Sequence, residues 1–192
     1  MLRALVCCLL LGACSAEPGL STRSDPIRPQ MRWDHRAEAE DWTNATLAAL
    51  EGHGAVLTDV VPADIATYCP AYPEAGPAQR RAFWAGLFSA LAKHESTWNP
   101  AAVGGGGRWF GLVQIAPATA RGYGCAAKSG MALKDGVLNL SCAVRIAAHT
   151  VPRDGVVSRG MRGIAADWGP FHSAVKRADI AGWTASQSYC RQ

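Results

Sequence analysis

Two short stretches hold residue types that together could do acid chemistry. His94–Pro100 reads HESTWNP, with an acid, a hydroxyl and an amide in quick succession, and Gly111–Ala120 reads GLVQIAPATA, with a glutamine among apolar neighbours. Upstream, Trp84, Leu87, Phe88 and Leu91 recur at the i, i+3, i+4, i+7 spacing of a buried helix face, and Glu95 continues that stripe. At roughly 100° per residue Glu95 falls near the middle of the apolar arc, where a carboxylate loses solvation. Desolvation raises a carboxyl pKa. The carbonyl end of a helix about to stop at Asn99-Pro100 pushes the same way, and a group so placed acts as an acid near neutrality.

The elements that must hold these residues are mostly helical. The helix that carries Glu95 starts at Ala78, after a Pro-rich connection from Cys69 to Pro77. Before it, Ala37 to Leu50 has an amphipathic pattern through Trp42, Ala45, Ala49 and Leu50, and a short helix is expected over Pro62 to Tyr68. After it, Gly104 to Gly107 make a flexible loop, and Trp109 to Ile115 reads as a strand pair or extended segment. Helices are then expected from Pro117 to Gly122, Leu138 to His149, Ile164 to Trp168 and Val175 to Trp183.

Competing readings of the same residues fall on their own spacing. A core Glu95 paired with Arg121 or Arg145 is the plain structural alternative. His94-Glu95 begins like the zinc motif H-E-x-x-H, but Trp98 stands where the second histidine is required. Ser96 has no His or Asp spaced as in a nucleophile elbow. The four glycines lead into Arg108-Trp109, not the Lys-Ser/Thr pair of a phosphate loop. Asn44-Ala45-Thr46 and Asn139-Leu140-Ser141 match a glycosylation pattern too short to carry a reading by itself.

Glu95-Ser96, Trp98-Asn99-Pro100, Gly111-Leu112-Val113-Gln114-Ile115, Pro117 and Thr119 together resemble the soluble lytic transglycosylase domain, a lysozyme-like family acting on peptidoglycan. The resemblance runs from about Ala78 to Pro170. Its third motif departs from the family's Ala-Tyr-Asn-x-Gly-Pro: Ala165-Ala166-Asp167-Trp168-Gly169-Pro170 has alanine for the tyrosine and aspartate for the asparagine. The resemblance implies a mainly α, lysozyme-like α+β fold with a small β element beside the catalytic helix. It also implies cleavage between N-acetylmuramic acid and N-acetylglucosamine to give 1,6-anhydromuramoyl ends, without cofactor or metal. Glu95 is then the single general acid and base. Ser96, Gln114 and Asp167 position the sugars, and Trp109 and Trp168 present faces to sugar rings. Two other functions stay open: a hydrolytic goose-type muramidase with Asp167 as second carboxylate, and a non-catalytic peptidoglycan-binding lipoprotein.

The first residues bear on the compartment. Arg3, an apolar run from Ala4 to Leu11, and Leu11-Gly12-Ala13-Cys14 resemble a bacterial lipobox, too short to span a membrane. Residues 1–13 are then a signal peptide, Cys14 is acylated, 14–36 form a flexible tether with several Pro and Arg, and 37–192 are the enzyme domain. Cleavage after Ala16 to give a soluble secreted form is the alternative. Ser15 does not suggest inner-membrane retention, so the expected location is periplasmic, anchored at the outer membrane, with peptidoglycan glycan strands as partner and a cell-wall or secretion complex as a further one. Of seven cysteines, Cys7 and Cys8 leave with the signal peptide and Cys14 carries lipid. Cys69, Cys125, Cys142 and Cys190 suit two disulfides in an exported chain. Three connectivities are possible; Cys125–Cys142 with Cys69–Cys190 is favoured, because the first closes a short Gly- and Lys-containing loop. A formal net charge of +4, with no basic run interleaved by aromatics, does not indicate nucleic acid.

Overall fold

The computed structural model describes residues 28–191. The signal peptide, Cys14 and the tether up to residue 27 lie outside the described residues. Six α-helices and one two-stranded antiparallel sheet make up the described fold: α1 (Ala39–Glu51), α2 (Val56–Asp59), α3 (Pro77–Ser96), β1 (Val103–Gly104), β2 (Trp109–Phe110), α4 (Pro117–Gly122), α5 (Gly136–Asp154) and α6 (Ala174–Ala185), with short 3₁₀ turns between them. The architecture is the mainly α, lysozyme-like one with a small β element.

Helix α3 is the axis of the molecule. Pro77 occupies its first turn, where a missing N–H costs nothing, and the Gln79 side chain accepts the Gly76 N–H at 2.8 Å. The sequence shows one apolar stripe, yet every residue from Ala82 to Ala92 is buried. Small residues on the opposite face explain this. A Cβ on Gly86 would lie 2.2 Å from the Tyr189 hydroxyl, so only glycine admits the C-terminal segment there. Helices α1, α2 and α6 pack around α3, and α5 packs against α1.

Four expectations change. Residues 28–36 are not tether: Met31 and Trp33 are buried, the Arg32 N–H reaches Ser89 Oγ at 2.9 Å, and the Arg32 guanidinium makes two bonds to Asp179, at 2.7 and 3.0 Å. Apolar Met31 and Trp33 sit among the Pro and Arg residues that suggested a linker, and burying them outweighs that composition. Over Pro62–Tyr68 only a 3₁₀ turn, Ile65–Thr67, forms, because the Asp64 carboxylate is turned aside to accept the N–H groups of Val157, Ser158 and Arg159 at 2.6 to 2.9 Å. Ile164–Trp168 likewise forms a 3₁₀ turn, Gly163–Ala166, entered through Gly163 at φ 61°. Helix α5 in turn outruns its expected end at His149, continuing to Asp154 with Pro152 in its last turn.

The structure contains disulfides Cys69–Cys190 and Cys125–Cys142. Among the described residues no helix is long and apolar enough to cross a membrane.

Candidate active site

Glu95 stands in the last turn of α3, half-buried. The helix stops just beyond it, earlier than Asn99-Pro100, because Thr97 and Trp98 both take left-handed backbone at φ 53° and 56°. Non-glycine residues adopt that conformation at a cost. Here the Thr97 N–H bonds Lys93 O at 3.2 Å, the Trp98 N–H bonds Ala92 O at 3.3 Å, and the Trp98 indole folds back to Ser89 O at 2.9 Å. Gln114, at φ 50°, has the same backbone form. Three of the four non-glycine residues with this conformation among those described thus lie at the two motifs.

Neither Arg121 nor Arg145 pairs with Glu95; Arg121 bonds Lys128 O instead. Glu95 makes no side-chain hydrogen bond or ion pair among the described residues. Burial pushes its carboxyl from 4.5 up to about 7, against the opposing pull of the Lys176 ammonium on α6. The neighbouring His94 and Lys93 are turned away to Asp179, at 2.7 and 3.1 Å, where Arg32 also binds. That cluster locks the end of α3 to α6 and holds the Asp179 carboxyl well below the usual carboxylate range, with Arg32 as the largest cause.

The Gly111–Ile115 segment is held from three directions. Ser96 Oγ donates to Leu112 O at 2.7 Å, Asn139 Oδ1 accepts the Val113 N–H at 3.0 Å, and Trp168 Nε1 donates to Val113 O at 2.8 Å. Asn139 is fully buried on α5 and also donates to Phe110 O and Leu133 O, both at 3.0 Å. Gly111, at φ 82°, lies so close that a Cβ would fall 2.1 Å from Leu133 O. Asn139 is the residue that sequence reasoning missed, and an Asn within an apolar helix face was the signal for it.

Ser96 and Trp168 therefore brace this loop. The Ser96 hydrogen is engaged by Leu112, and the Trp168 ring is 3% exposed, lies edge-on to Phe88 and reaches the crevice wall. Gln114 donates to Gly111 O at 2.9 Å and Ala102 O at 3.3 Å, which leaves its Oε1 as the acceptor free for a ligand. Trp109 is 43% exposed at the sheet. A crevice of about 50 Å³ brings together Trp109, Gln114, Thr119, Asp167 and an edge of Trp168; Glu95 does not line it. The Asp167 carboxyl is raised by desolvation and held back by Arg153 and Tyr123. A larger hollow of about 690 Å³ adjoins Ala78 and Ala82 on the opening half of α3, away from this chemistry. Among the described residues no group of three or more His, Cys, Asp or Glu is placed to hold a metal ion.

The family model of the transglycosylase SLT domain matches residues 74–154. A glutamate-to-glutamine mutant of Bd0314 DslA is similar with a TM-score of 0.78 at 30% identity, over 86% of this chain and 100% of that one. The chain belongs to the SLT transglycosylase domain family. A second glutamate-to-glutamine mutant of DslA (TM-score 0.77, 30% identity) and a wild-type form (0.74, 29%) match over the same shares of each chain. No curated protein matches the sequence. As an SLT domain it is a lytic transglycosylase-type protein of the peptidoglycan layer, and its two disulfides fit an exported protein.

Proposed function

We propose that this SLT domain is a peptidoglycan lytic transglycosylase that cleaves the β-1,4 bond between N-acetylmuramic acid and N-acetylglucosamine with Glu95 as its single acid and base. The observation that carries the reading is an unpartnered, half-buried Glu95 whose carboxyl is poised at about 7. Such a group gives its proton to the glycosidic oxygen as the N-acetylglucosamine departs. As carboxylate it then takes the proton of the muramic acid 6-hydroxyl, which closes onto its own anomeric carbon. One carboxylate suffices because the nucleophile belongs to the substrate. Oε1 of Gln114 and the carboxyl of Asp167 hold the sugars.

The sequence after the acid supports one carboxylate rather than a close pair, since no Asp or Glu occurs between Glu95 and Asp135. The second reading, a hydrolytic muramidase, rests on Asp167, which lines the crevice with Gln114. Glu95→Gln tested on purified sacculi decides the assignment: we expect release of muropeptides to fall by at least roughly 10²-fold with binding retained. Mass analysis of wild-type products separates the readings. Anhydro ends mean transglycosylation, and reducing-end muramic acid means hydrolysis.

Attachment to a membrane through an acyl group on Cys14 is part of the same proposal, as is export through residues 1–13. Intact-mass measurement of the protein from membranes of the producing cell tests both.

A further inference from the structure

The hairpin beside the crevice is built around one pair of side chains. Gly105, Gly106 and Gly107 all take positive φ, of 57°, 65° and 90°, and carry the turn from β1 to β2. At Gly105 the reason is contact: an added Cβ would lie 2.2 Å from Cε3 of Trp109, so the indole rests on bare backbone. Gly104 plays the same part for Gln114, whose Oε1 would be 2.3 Å from a Cβ there. Arg108 is tied to the same turn. Its Nε donates to Gly105 O at 2.8 Å, and its Cζ sits 4.9 Å from the centre of the Trp109 ring.

This arrangement fixes a guanidinium by its Nε and its flat face, and leaves both terminal nitrogens without a partner among the described residues. A fork so oriented matches a carboxylate with two parallel hydrogen bonds. The hairpin from Val103 to Phe110 contains no acidic residue to quench it. Trp109 lines the crevice, and the fork lies 4.9 Å from the centre of its ring.

We propose that Arg108, stacked on Trp109, is a carboxylate-recognition element that selects the anionic glycan of the wall over neutral chitin-like strands. It rests on the peptidoglycan reading above. The carboxylate has two sources in that polymer: the stem peptide, or the lactyl group left on strands stripped of peptide. Arg108 is exposed, so its replacement leaves the core intact.

The test measures co-sedimentation and KM for Arg108→Gln and Arg108→Lys on intact sacculi and on amidase-stripped strands, and binding to neutral N-acetylglucosamine oligomers. Co-sedimentation is read in a Glu95→Gln background, where it does not depend on turnover. Arg108→Gln is expected to weaken binding and raise KM about tenfold on at least one anionic polymer, with kcat within about twofold, as for loss of a charged hydrogen bond at a solvated site. Lysine restores part of the loss. An effect confined to intact sacculi assigns the carboxylate to the stem peptide, and one that persists on stripped strands assigns it to the lactyl group. Unchanged binding to both anionic polymers overturns the proposal, and so does an equal loss on neutral oligomers, which would make Arg108 a mere prop for Trp109. A wild-type protein that releases no muropeptides defeats the proposed function instead, while the binding comparison still decides Arg108.

Discussion

Ser96 Oγ donates to Leu112 O at 2.7 Å, and this single bond joins the residue after the acid to the loop that carries the amide. The two motifs are one mechanical unit. A displacement of the Gly111–Ile115 segment reaches the neighbour of Glu95 through one hydroxyl, so the placement of the carboxyl depends on that bond.

Glu95 itself predicts a pH signature in stability. Its folded pKa of about 7 lies above the unfolded 4.5, so the native state holds the proton more tightly between those values. Stability therefore falls as pH rises through that window, and the cost is complete above pH 7. Replacement by glutamine removes it. Urea unfolding should show Glu95→Gln more stable than wild type by up to about 3 kcal/mol at pH 8 and nearly equal at pH 4.5. Equal stability at both values would mean the carboxyl is solvated.

The same pKa sets the alkaline limb of activity. A general acid must be protonated in the free enzyme, so kcat/KM should decline above about pH 7. Lys176→Met removes the ammonium that holds the pKa down and should move that limb upward. A limb that stays in place in the variant would remove Lys176 from the electrostatics of Glu95.

Asn139→Leu tests the support of the loop. It leaves the Val113 N–H and the carbonyls of Phe110 and Leu133 without their partner. The expected loss is roughly 3 kcal/mol of stability, with activity falling further than stability because the loop that bears Gln114 is released. Chemical denaturation and turnover on sacculi, measured on one preparation, separate the two effects.

Reduction should destabilise the fold. Cys125–Cys142 spans 17 positions and Cys69–Cys190 spans 121; a loop of the shorter length contributes roughly 3 kcal/mol by its effect on the unfolded chain, and the longer one somewhat more. Thermal unfolding with and without reductant reads the sum. Peptide mapping without reduction should recover both pairs, and a Cys69–Cys125 or Cys69–Cys142 peptide would contradict them.

Asp167→Asn addresses the chemistry directly. In a transglycosylase the side chain only holds sugar or loop, so most activity and the anhydro products should remain. In a hydrolase the change removes the base that activates water, and turnover should drop by orders of magnitude.

The acid and its helix were legible because they follow periodicity: Trp84, Leu87, Phe88 and Leu91 point to one face, and Glu95 lies on it. The order of helices followed from the same signal. What periodicity does not encode is the partner of a polar atom. Ser96 and Trp168 looked like ligand groups because their chemistry suits ligands, and only the fold shows that Leu112 O and Val113 O engage them first. Asn139 was hidden for the same reason, since its three partners sit 6 to 29 positions away. Met31 and Trp33 were missed because two apolar residues among Pro and Arg give too short a run to show a period.

The Tyr189 hydroxyl donates to Gln30 O at 3.2 Å, so the two ends of the described chain meet. They meet beside Gly86 and the opening half of α3, about 14 Å along the helix from Glu95 at 1.5 Å per residue. Anything joined to this domain, at its front or its back, holds it by the same corner. The Glu95 end of α3 lies away from that corner, as a tool's head lies away from its handle, and a graft at either end of the described chain attaches remote from it.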